Sequence, residues 1–170
     1  MKLLLAGYMG SGKSIIGKLL AEKLAISHYD LDQEIEKVAK SSIKNIFSTK
    51  GELYFRKLER QVLIQILNQN TPFVLSLGGG TPCYFDNYKL FQTPEITSIY
   101  LKASVETLAN RLKHQKNQRP LIADLSQEAL QDYIAKHLFD RNFYYHQMQY
   151  TYTVDTKSIP EIVSELILYV

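Results

Sequence analysis

The chain has 170 residues, of which 45% are hydrophobic and 22% charged, a composition typical of one ordinary globular domain. A net charge of +3 is too small to indicate a nucleic-acid partner, and the single cysteine, Cys83, excludes an internal disulfide. The apolar run near the N-terminus spans only five residues, too few for a signal-peptide core or a membrane span. We therefore expect a cytoplasmic protein with no membrane partner.

Strands and helices are predicted to alternate along the chain. Strands are predicted at 3–6, 27–32, 72–80, 96–104 and 150–156. Helices are predicted at 13–24, 33–40, 42–48, 52–68, 105–112, 126–146 and 159–170. Because no repeat or linker interrupts this order, we predict one α/β domain over 1–170, with a parallel sheet covered by helices on both faces. Ligands of such sheets bind beyond the carboxyl ends of the strands.

The stretch GYMGSGKS at 7–14 matches the pattern G-x-x-x-x-G-K-S/T in full, and it lies between a predicted strand and a predicted helix. Glycines let backbone N–H groups turn inward around anionic oxygens, and the helix N-terminus adds its positive dipole end. Lys13 is expected to reach the β- and γ-phosphates, and the Ser14 hydroxyl to bind Mg²⁺. A purely structural glycine turn needs neither residue, so the stretch predicts a site for ATP or GTP.

Asp30 and Asp32 end the second predicted strand, where strand alternation puts both side chains on one side. A carboxylate there can orient and deprotonate a hydroxyl, or hold Mg²⁺ through water. Capping of the next helix by one of the two aspartates is a common alternative, and both roles can hold together. We expect Asp30 to lie nearer the metal ion and Asp32 nearer the phosphate acceptor.

Arg56 and Glu59 are three residues apart on one predicted helix. Such a spacing most often marks a solvated surface pair, but Phe47 and Phe55 would put aromatic surface beside the arginine. A planar guanidinium suits a carboxylate bidentately, and Glu59 would hold it in place. The pair therefore predicts recognition of an anionic acceptor, for which Arg141 is a possible second cation.

Two further features belong to the same side of the sheet. Three consecutive glycines, 78–80, end the third predicted strand, which indicates backbone that approaches a ligand. Arg119 lies in a polar stretch long enough to form a lid, and lids bring an arginine onto transferring phosphate charge. An ordinary exposed loop arginine is the alternative.

The phosphate-binding stretch alone leaves a motor, a switch and a small-molecule kinase open. The chain is short and has no guanine-reading N-K-x-D motif, which favours the kinase. Two alternatives to the kinase that the motifs below indicate stay open. One is a small-molecule kinase with a different acceptor, such as a gluconate kinase, and the other is a nucleotide-binding module without catalysis. The module is disfavoured by four intact residues: Lys13, Ser14, Asp32 and Arg119.

The motifs occur in a specific order: GYMGSGKS (7–14), DLD (30–32), IFSTKGELYFRKLE (46–59), SLGGG (76–80), RPLI (119–122), Arg141 with Tyr145, and VDT (154–156). In this combination the chain resembles the shikimate kinase family over nearly its whole length. The resemblance implies a three-layer P-loop NTPase fold with a central five-stranded parallel sheet. It also implies ATP-dependent phosphorylation of the 3-hydroxyl of shikimate, in the route to aromatic amino acids. We expect the protein to be a monomer.

The resemblance further implies roles on the acceptor side. Asp32 matches the acidic residue at the acceptor hydroxyl, and Arg56 and Arg141 match the arginines that grip the shikimate carboxylate. Helices at about 33–68 would bind this substrate. The remaining acceptor residues implied are Glu59, which supports Arg56, and the backbone of Gly78, Gly79 and Gly80.

On the nucleotide side, Lys13, Arg119 and Mg²⁺ would carry the charge that develops during transfer, with Arg119 in a lid at about 112–125. Ser14 and Asp30 would hold the metal ion. The nucleotide contacts implied are Gly10, Ser11, Gly12, Lys13, Ser14, Ile15, Arg111 and Arg119. Two positions depart from the family's pattern: Gln149 stands where alanine is frequent, and Lys157 is the only basic residue just after VDT, near the expected adenine.

Overall fold

The structure is a computed structural model that describes residues 1–114 and 122–170. Within these ranges five strands form one sheet: β1 (Lys2–Ala6), β2 (Ser27–Asp30), β3 (Phe73–Ser76), β4 (Ile96–Lys102) and β5 (Tyr150–Thr153). The strands pair in parallel in the order β2-β3-β1-β4-β5. The predicted five-stranded parallel sheet is therefore confirmed. Arg119, predicted as the lid arginine, lies outside the described residues.

The described helices are α1 (Lys13–Leu24), α2 (Leu31–Ala39), α3 (Ile43–Leu67), α4 (Val105–Leu112), α5 (Gln127–Tyr145) and α6 (Ile159–Leu166). They cover both faces of the sheet. Leu3 and Leu5 of β1 join one buried cluster, with residues of α1, α4 and α6, while Leu4 and Ala6 join another, with residues of α2 and α3. Since each fully buried leucine stabilises the fold by about 1.5–3 kcal/mol, the alternation along β1 holds both layers to the sheet.

Short 3-10 helices follow β3, at Thr81–Cys83 and Asn87–Phe91, and a third follows α6, at Ile167–Tyr169. The sequence patterns did not predict the first two as helical turns. They matter for the site because they bring the chain after the glycines back over α3. Among the described residues, no helix has both the length and the apolar character needed to cross a bilayer.

Helix starts follow the sequence closely. Ser104 caps α4 by accepting a hydrogen bond from the Thr107 N–H at 3.1 Å, as predicted. In α6, Ser158 and Glu161 form a reciprocal capping box next to Pro160. These caps give α4 and α6 defined entries beside the carboxyl end of the sheet.

The α3 segment contains the two helices predicted at 42–48 and 52–68. They run on as one element, but Gly51 has φ 79° and ψ 171°, outside helical geometry, so the axis kinks there. Only glycine adopts such a backbone conformation readily. Residues on both sides of the kink, Ile46 and Leu63 among them, belong to the same buried cluster.

Four strands, β2 to β5, end earlier than predicted, and the ends of β2 and β3 bear on the site. β2 stops at Asp30, because its carboxylate caps α2 by accepting from the N–H groups of Asp32 and Gln33. β3 stops at Ser76, because the glycines turn into a 3-10 helix instead of continuing the ladder. Asp32 is therefore a first-turn helix residue, and strand alternation was the wrong reason for placing it beside Asp30.

Candidate active site

The loop between β1 and α1 wraps the start of the helix. Gly7, Gly10 and Gly12 all have positive φ, and at Gly12 the value is 97°. A side chain at Gly10 would also meet Leu112 at 3.2 Å, so this position needs glycine for space as well. Gly12 is the N-cap of α1 and supplies no side-chain cap, so the positive end of the helix faces the loop, where an anion would be favoured.

Two side chains of this loop point inward. The Lys13 ammonium is buried and donates to the carbonyls of Gly7 and Tyr8 at 2.8 and 2.9 Å, so it is held across the loop. The Ser11 hydroxyl is also buried and finds no hydrogen-bond partner among the described residues. A buried cation and an unsatisfied hydroxyl fit a polar, anionic ligand in this loop.

Ser14 and Asp30 meet at the mouth of the loop. The Ser14 hydroxyl donates to Oδ2 of Asp30 at 2.6 Å, while Oδ1 of Asp30 accepts from the first N–H groups of α2. Asp30 therefore caps a helix and also contacts the predicted magnesium ligand, as the sequence allowed. One hydroxyl and one carboxylate suit Mg²⁺, which usually takes few protein ligands and fills its shell with water and phosphate oxygens.

The Asp32 carboxyl lies in an unfavourable place for a negative charge. Burial, together with the charges of Asp30 and Glu59, raises its pKa to about 6. The cations Lys13 and Arg56 act in the opposite direction without cancelling the rise. Its pKa near neutrality suits a group that accepts a proton during a reaction.

Arg56 and Glu59 are not a surface pair. Nη1 of Arg56 donates to Oε2 of Glu59 at 2.9 Å, and the Glu59 side chain is 1% exposed. Oε1 of Glu59 accepts from the Thr81 hydroxyl at 2.7 Å. Phe55 packs against Phe47 with ring centres 4.6 Å apart, beside the guanidinium, as predicted. The solvated alternative is wrong, because both charges are enclosed and partnered.

The three glycines after β3 pass between two guanidinium groups. A Cβ built on Gly80 would lie 2.9 Å from Nη2 of Arg56, and one on Gly79 would lie 3.7 Å from Nη1 of Arg141. Gly78 is equally tight on its other side, where a Cβ would lie 2.9 Å from Oδ1 of Asp32. The turn thus brings residues of α2, α3 and α5 to one place, and side chains at these positions would separate them.

Arg141 is positioned by aromatic neighbours. Its guanidinium lies 5.5 Å from the centre of the Tyr8 ring and 3.5 Å from the Gly79 carbonyl, and the Tyr145 hydroxyl donates to that carbonyl at 2.6 Å. Tyr145 itself is fully buried and stacks on Tyr100. Arg141 is therefore fixed on the far side of the glycine turn from Arg56, and is not a lone surface charge.

A cleft of about 610 Å³ runs from the phosphate-binding loop toward α4 and α6. Arg111 lines it and donates to the Gly10 carbonyl at 3.1 Å, which places this predicted nucleotide contact beside the loop. Ile15 also lines it and is 49% exposed. Ile159 and Ile162 of α6 complete the apolar wall. Sequence reasoning missed these two, because their helical spacing predicts core packing.

Lys157 and Gln149, the two residues that depart from the family's pattern, both make their contacts away from this cleft. Lys157 pairs with Glu165 at 2.6 Å and donates to the Tyr152 hydroxyl at 3.1 Å. Gln149 accepts from the Ser98 N–H at 3.3 Å, next to the central part of the sheet. Neither residue lines the cleft beside the phosphate-binding loop.

These features define a class of protein. A phosphate-binding loop, a buried acid with a raised pKa and two enclosed arginines at one edge of a parallel sheet are the parts of a P-loop kinase for a small anionic acceptor. The sequence model of the shikimate kinase family matches residues 9–170. The chain belongs to the shikimate kinase family.

Individual relatives agree over nearly the whole chain. A shikimate kinase of Flavobacterium johnsoniae is 49% identical over 166 residues, covering 98% of this chain and 96% of the relative. The crystal structure of shikimate kinase from Bacteroides thetaiotaomicron is 32% identical with a TM-score of 0.91, covering 100% and 99% of the two chains. The Acinetobacter baumannii enzyme, solved in complex with shikimate, is 28% identical with a TM-score of 0.85, covering 98% and 90%.

Proposed function

We propose that the protein transfers the γ-phosphate of ATP to the 3-hydroxyl of shikimate and releases ADP and shikimate 3-phosphate, in aromatic amino acid biosynthesis. The observation that carries the proposal is the glycine turn between Arg56 and Arg141, next to Asp32 and the phosphate-binding loop. This arrangement offers cations for a carboxylate and a base for a hydroxyl within one small site.

On the acceptor side, Arg56 and Arg141 bind the shikimate carboxylate from opposite sides of the glycine turn. Charge-assisted hydrogen bonds of this kind each contribute about 1.5–3 kcal/mol. Glu59 holds Arg56 in its plane at 2.9 Å, and the backbone of Gly78, Gly79 and Gly80 leaves room for the ring of the substrate. The carboxylate anchor sets the ring so that one hydroxyl points toward Asp32.

In the transfer itself, the 3-hydroxyl oxygen attacks the γ-phosphorus as the bond to the β–γ bridging oxygen breaks. Asp32 orients this hydroxyl and accepts its proton late in the reaction. Lys13 moves from the loop carbonyls to the phosphates and stabilises their developing charge. Since the chemistry of phosphoryl transfer depends mainly on position and charge, orienting the hydroxyl and stabilising the phosphates are the main tasks of these groups.

The Ser14 hydroxyl and the Asp30 carboxylate would hold Mg²⁺, Asp30 through water. Among the described residues no three His, Cys, Asp or Glu side chains cluster as a metal site, so the nucleotide's phosphates would supply the other ligands. When bound, the ion neutralises charge on the β- and γ-phosphates. The 2.6 Å contact between Ser14 and Asp30 fits this role, because both oxygens already point to one place.

The proposal includes several parts of the sequence prediction. Arg119 would stabilise the transferring phosphate from a lid at about 112–125, although it lies outside the described residues. The chain would act as one domain, with substrate-binding helices at about 33–68, as a cytoplasmic monomer without a nucleic-acid or membrane partner. Ile15 and Arg111 would contact the nucleotide's base or sugar, as their place in the cleft supports.

The experiment is an assay of ADP formation from ATP with shikimate, with gluconate and with no acceptor. We expect turnover with shikimate, but neither with gluconate nor without an acceptor. Phosphorus NMR should identify the product as shikimate 3-phosphate, and turnover should stop when Mg²⁺ is chelated. Turnover with gluconate instead would support a gluconate kinase. Nucleotide binding without any acceptor-dependent turnover would support a non-catalytic module.

A further inference from the structure

Tyr84 holds the guanidinium of Arg56 from its face. The centre of the Tyr84 ring lies 3.9 Å from Cζ of Arg56, which is a close cation–π contact. Glu59 and Glu52 hold the same guanidinium from its edge, at 2.9 Å on Nη1 and 3.4 Å on Nε. The Arg56 side chain is 11% exposed, so these contacts form an enclosed cage.

The Tyr84 hydroxyl makes a second contact within this cage. It donates to Oε1 of Glu52 at 2.8 Å, the same oxygen that accepts from Nε of Arg56. The Glu52 side chain is 53% exposed and would otherwise be free to turn into solvent. One tyrosine therefore contacts both the arginine and the carboxylate beside it, and this closed triangle fixes the guanidinium plane.

The hydroxyl donors also limit the negative charge around Arg56. Two carboxylates beside one guanidinium leave a local excess of negative charge, which would repel an anionic acceptor. Each carboxylate accepts a hydroxyl: Glu59 from Thr81 at 2.7 Å and Glu52 from Tyr84 at 2.8 Å. These bonds take up part of the acceptor capacity of the carboxylates, so the guanidinium keeps more of its donor strength for a bound anion.

The backbone after Tyr84 is built to keep the ring in place. Phe85 and Asp86 have φ of 49° and 57°, a left-handed conformation that residues other than glycine rarely adopt. Arg60 of α3 donates to the Phe85 carbonyl and to Oδ1 of Asn87, and the fully buried Asn87 donates to the Thr81 carbonyl at 2.9 Å. The strained turn is thus fastened at both ends, to α3 and to the glycine turn.

We infer that Tyr84 is a positioning residue for acceptor recognition: its ring fixes the plane of Arg56, and its hydroxyl fixes Glu52, so that Arg56 meets the acceptor's carboxylate in the correct orientation. The inference rests on the proposed function, in which Arg56 binds that carboxylate. Sequence patterns give no sign of this residue, because Tyr84 lies 28 positions after Arg56 and follows a short 3-10 helix that the sequence did not predict.

Steady-state kinetics with shikimate and ATP test the inference. The variant Tyr84→Leu keeps apolar bulk and loses both contacts, so the KM for shikimate should rise about tenfold, with kcat within about twofold and the KM for ATP unchanged. Tyr84→Phe keeps the ring and should rescue most of the loss, leaving a rise of about threefold. In an Arg56→Lys background, Tyr84→Leu should raise the KM for shikimate by less than about a further twofold. Both changes disturb the same contact between residue 56 and the acceptor's carboxylate, so their effects do not add.

Tyr88→Leu is the matched control, since Tyr88 lies on the next turn and packs on Phe143 and Tyr144. Its shikimate KM should equal that of the wild type. A folded Tyr84→Leu enzyme with a wild-type KM for shikimate would overturn the inference and leave the proposed function unaffected. Wild-type enzyme without shikimate-dependent turnover overturns the proposed function and the inference with it. If Tyr84→Leu does not fold, Tyr84→Phe decides: a raised KM for shikimate supports the inference, and an unchanged KM overturns it.

Discussion

At the scale of single residues, the Asp32 carboxyl shows a conflict between stability and function. Burial and two neighbouring carboxylates raise its pKa to about 6, whereas an unfolded chain has an aspartate pKa near 3.8. The raised value means that the folded protein favours the neutral form. Stability from that neutral form is fully present below pH 3.8 and is lost as the pH rises through 6.

Asp32→Asn should therefore stabilise the protein at pH 7.5 while it removes kinase activity. The amide stays neutral, so the gain in unfolding free energy is at most about 3 kcal/mol above pH 6 and shrinks toward pH 4. Urea denaturation at several pH values measures it. The exposed Asp132→Asn serves as control and should change stability by less than about 0.5 kcal/mol. A destabilised Asp32→Asn at pH 7.5 would contradict the burial argument.

The same pKa predicts the pH dependence of the reaction. The ratio kcat/KM for shikimate reports ionisations of the free enzyme, and Asp32 must be ionised to accept a proton. The ratio should fall as the pH drops below about 6, approaching tenfold per pH unit. Enzyme at pH 5 should keep the circular dichroism spectrum it has at pH 7.5, which excludes unfolding as the cause. A flat profile between pH 5 and 7 would remove Asp32 from the role of base.

At the scale of elements, the kink in α3 has one cause, the backbone of Gly51. A Cβ built there has no atom within 4 Å, so a substitution costs conformational strain and no clash. Gly51→Ala should lower the unfolding free energy by about 1–3 kcal/mol, because alanine disfavours φ 79°. Lys50→Ala next to it should be nearly neutral. An equally stable or more stable Gly51→Ala would mean that α3 can straighten without loss.

Most elements could be predicted from the sequence, because their signals are local. The bounds of α1 are as predicted, since a glycine-rich loop precedes Lys13 and the apolar spacing runs to Leu24. The predicted ends of β2 and β3 were wrong, because the hydrogen bonds that stop these strands come from the Asp30 side chain and from the turn after the glycines. These local hydrogen bonds compete with the ladder, and strand periodicity does not show where they replace it.

At the scale of the whole molecule, the site assembles from elements that are far apart in the chain. The motifs predicted Arg56, Gly79 and Arg141 individually, and their common location followed from the resemblance. The enclosure of Glu59 and the contacts of Tyr84 could not be predicted, because they depend on how α3 packs against the chain after β3. Burial also excludes a solvated surface pair at Arg56 and Glu59, the alternative that their spacing alone favours.

The lid makes a separate prediction at this scale. If Arg119 meets the transferring phosphate, Arg119→Ala should lower kcat by about 10³-fold and change the dissociation constant of shikimate by less than about threefold. Single-turnover kinetics and calorimetry separate the two quantities. A Lys136→Ala variant, at an exposed position of α5 outside the lid, should leave both unchanged. Loss of shikimate affinity with an intact kcat would move Arg119 to the acceptor site.

The central claim is that Arg56 binds the carboxylate of the acceptor, and one double cycle by calorimetry tests it. Arg56→Lys keeps the charge and loses the planar fork, so shikimate should bind the variant about 10- to 100-fold more weakly, with ATP affinity unchanged. Shikimate methyl ester should bind the wild type with a similar loss. The ester should lose little more in Arg56→Lys, because both changes remove the same contact. Fully additive losses would show that Arg56 does not touch the carboxylate, and would contradict the account.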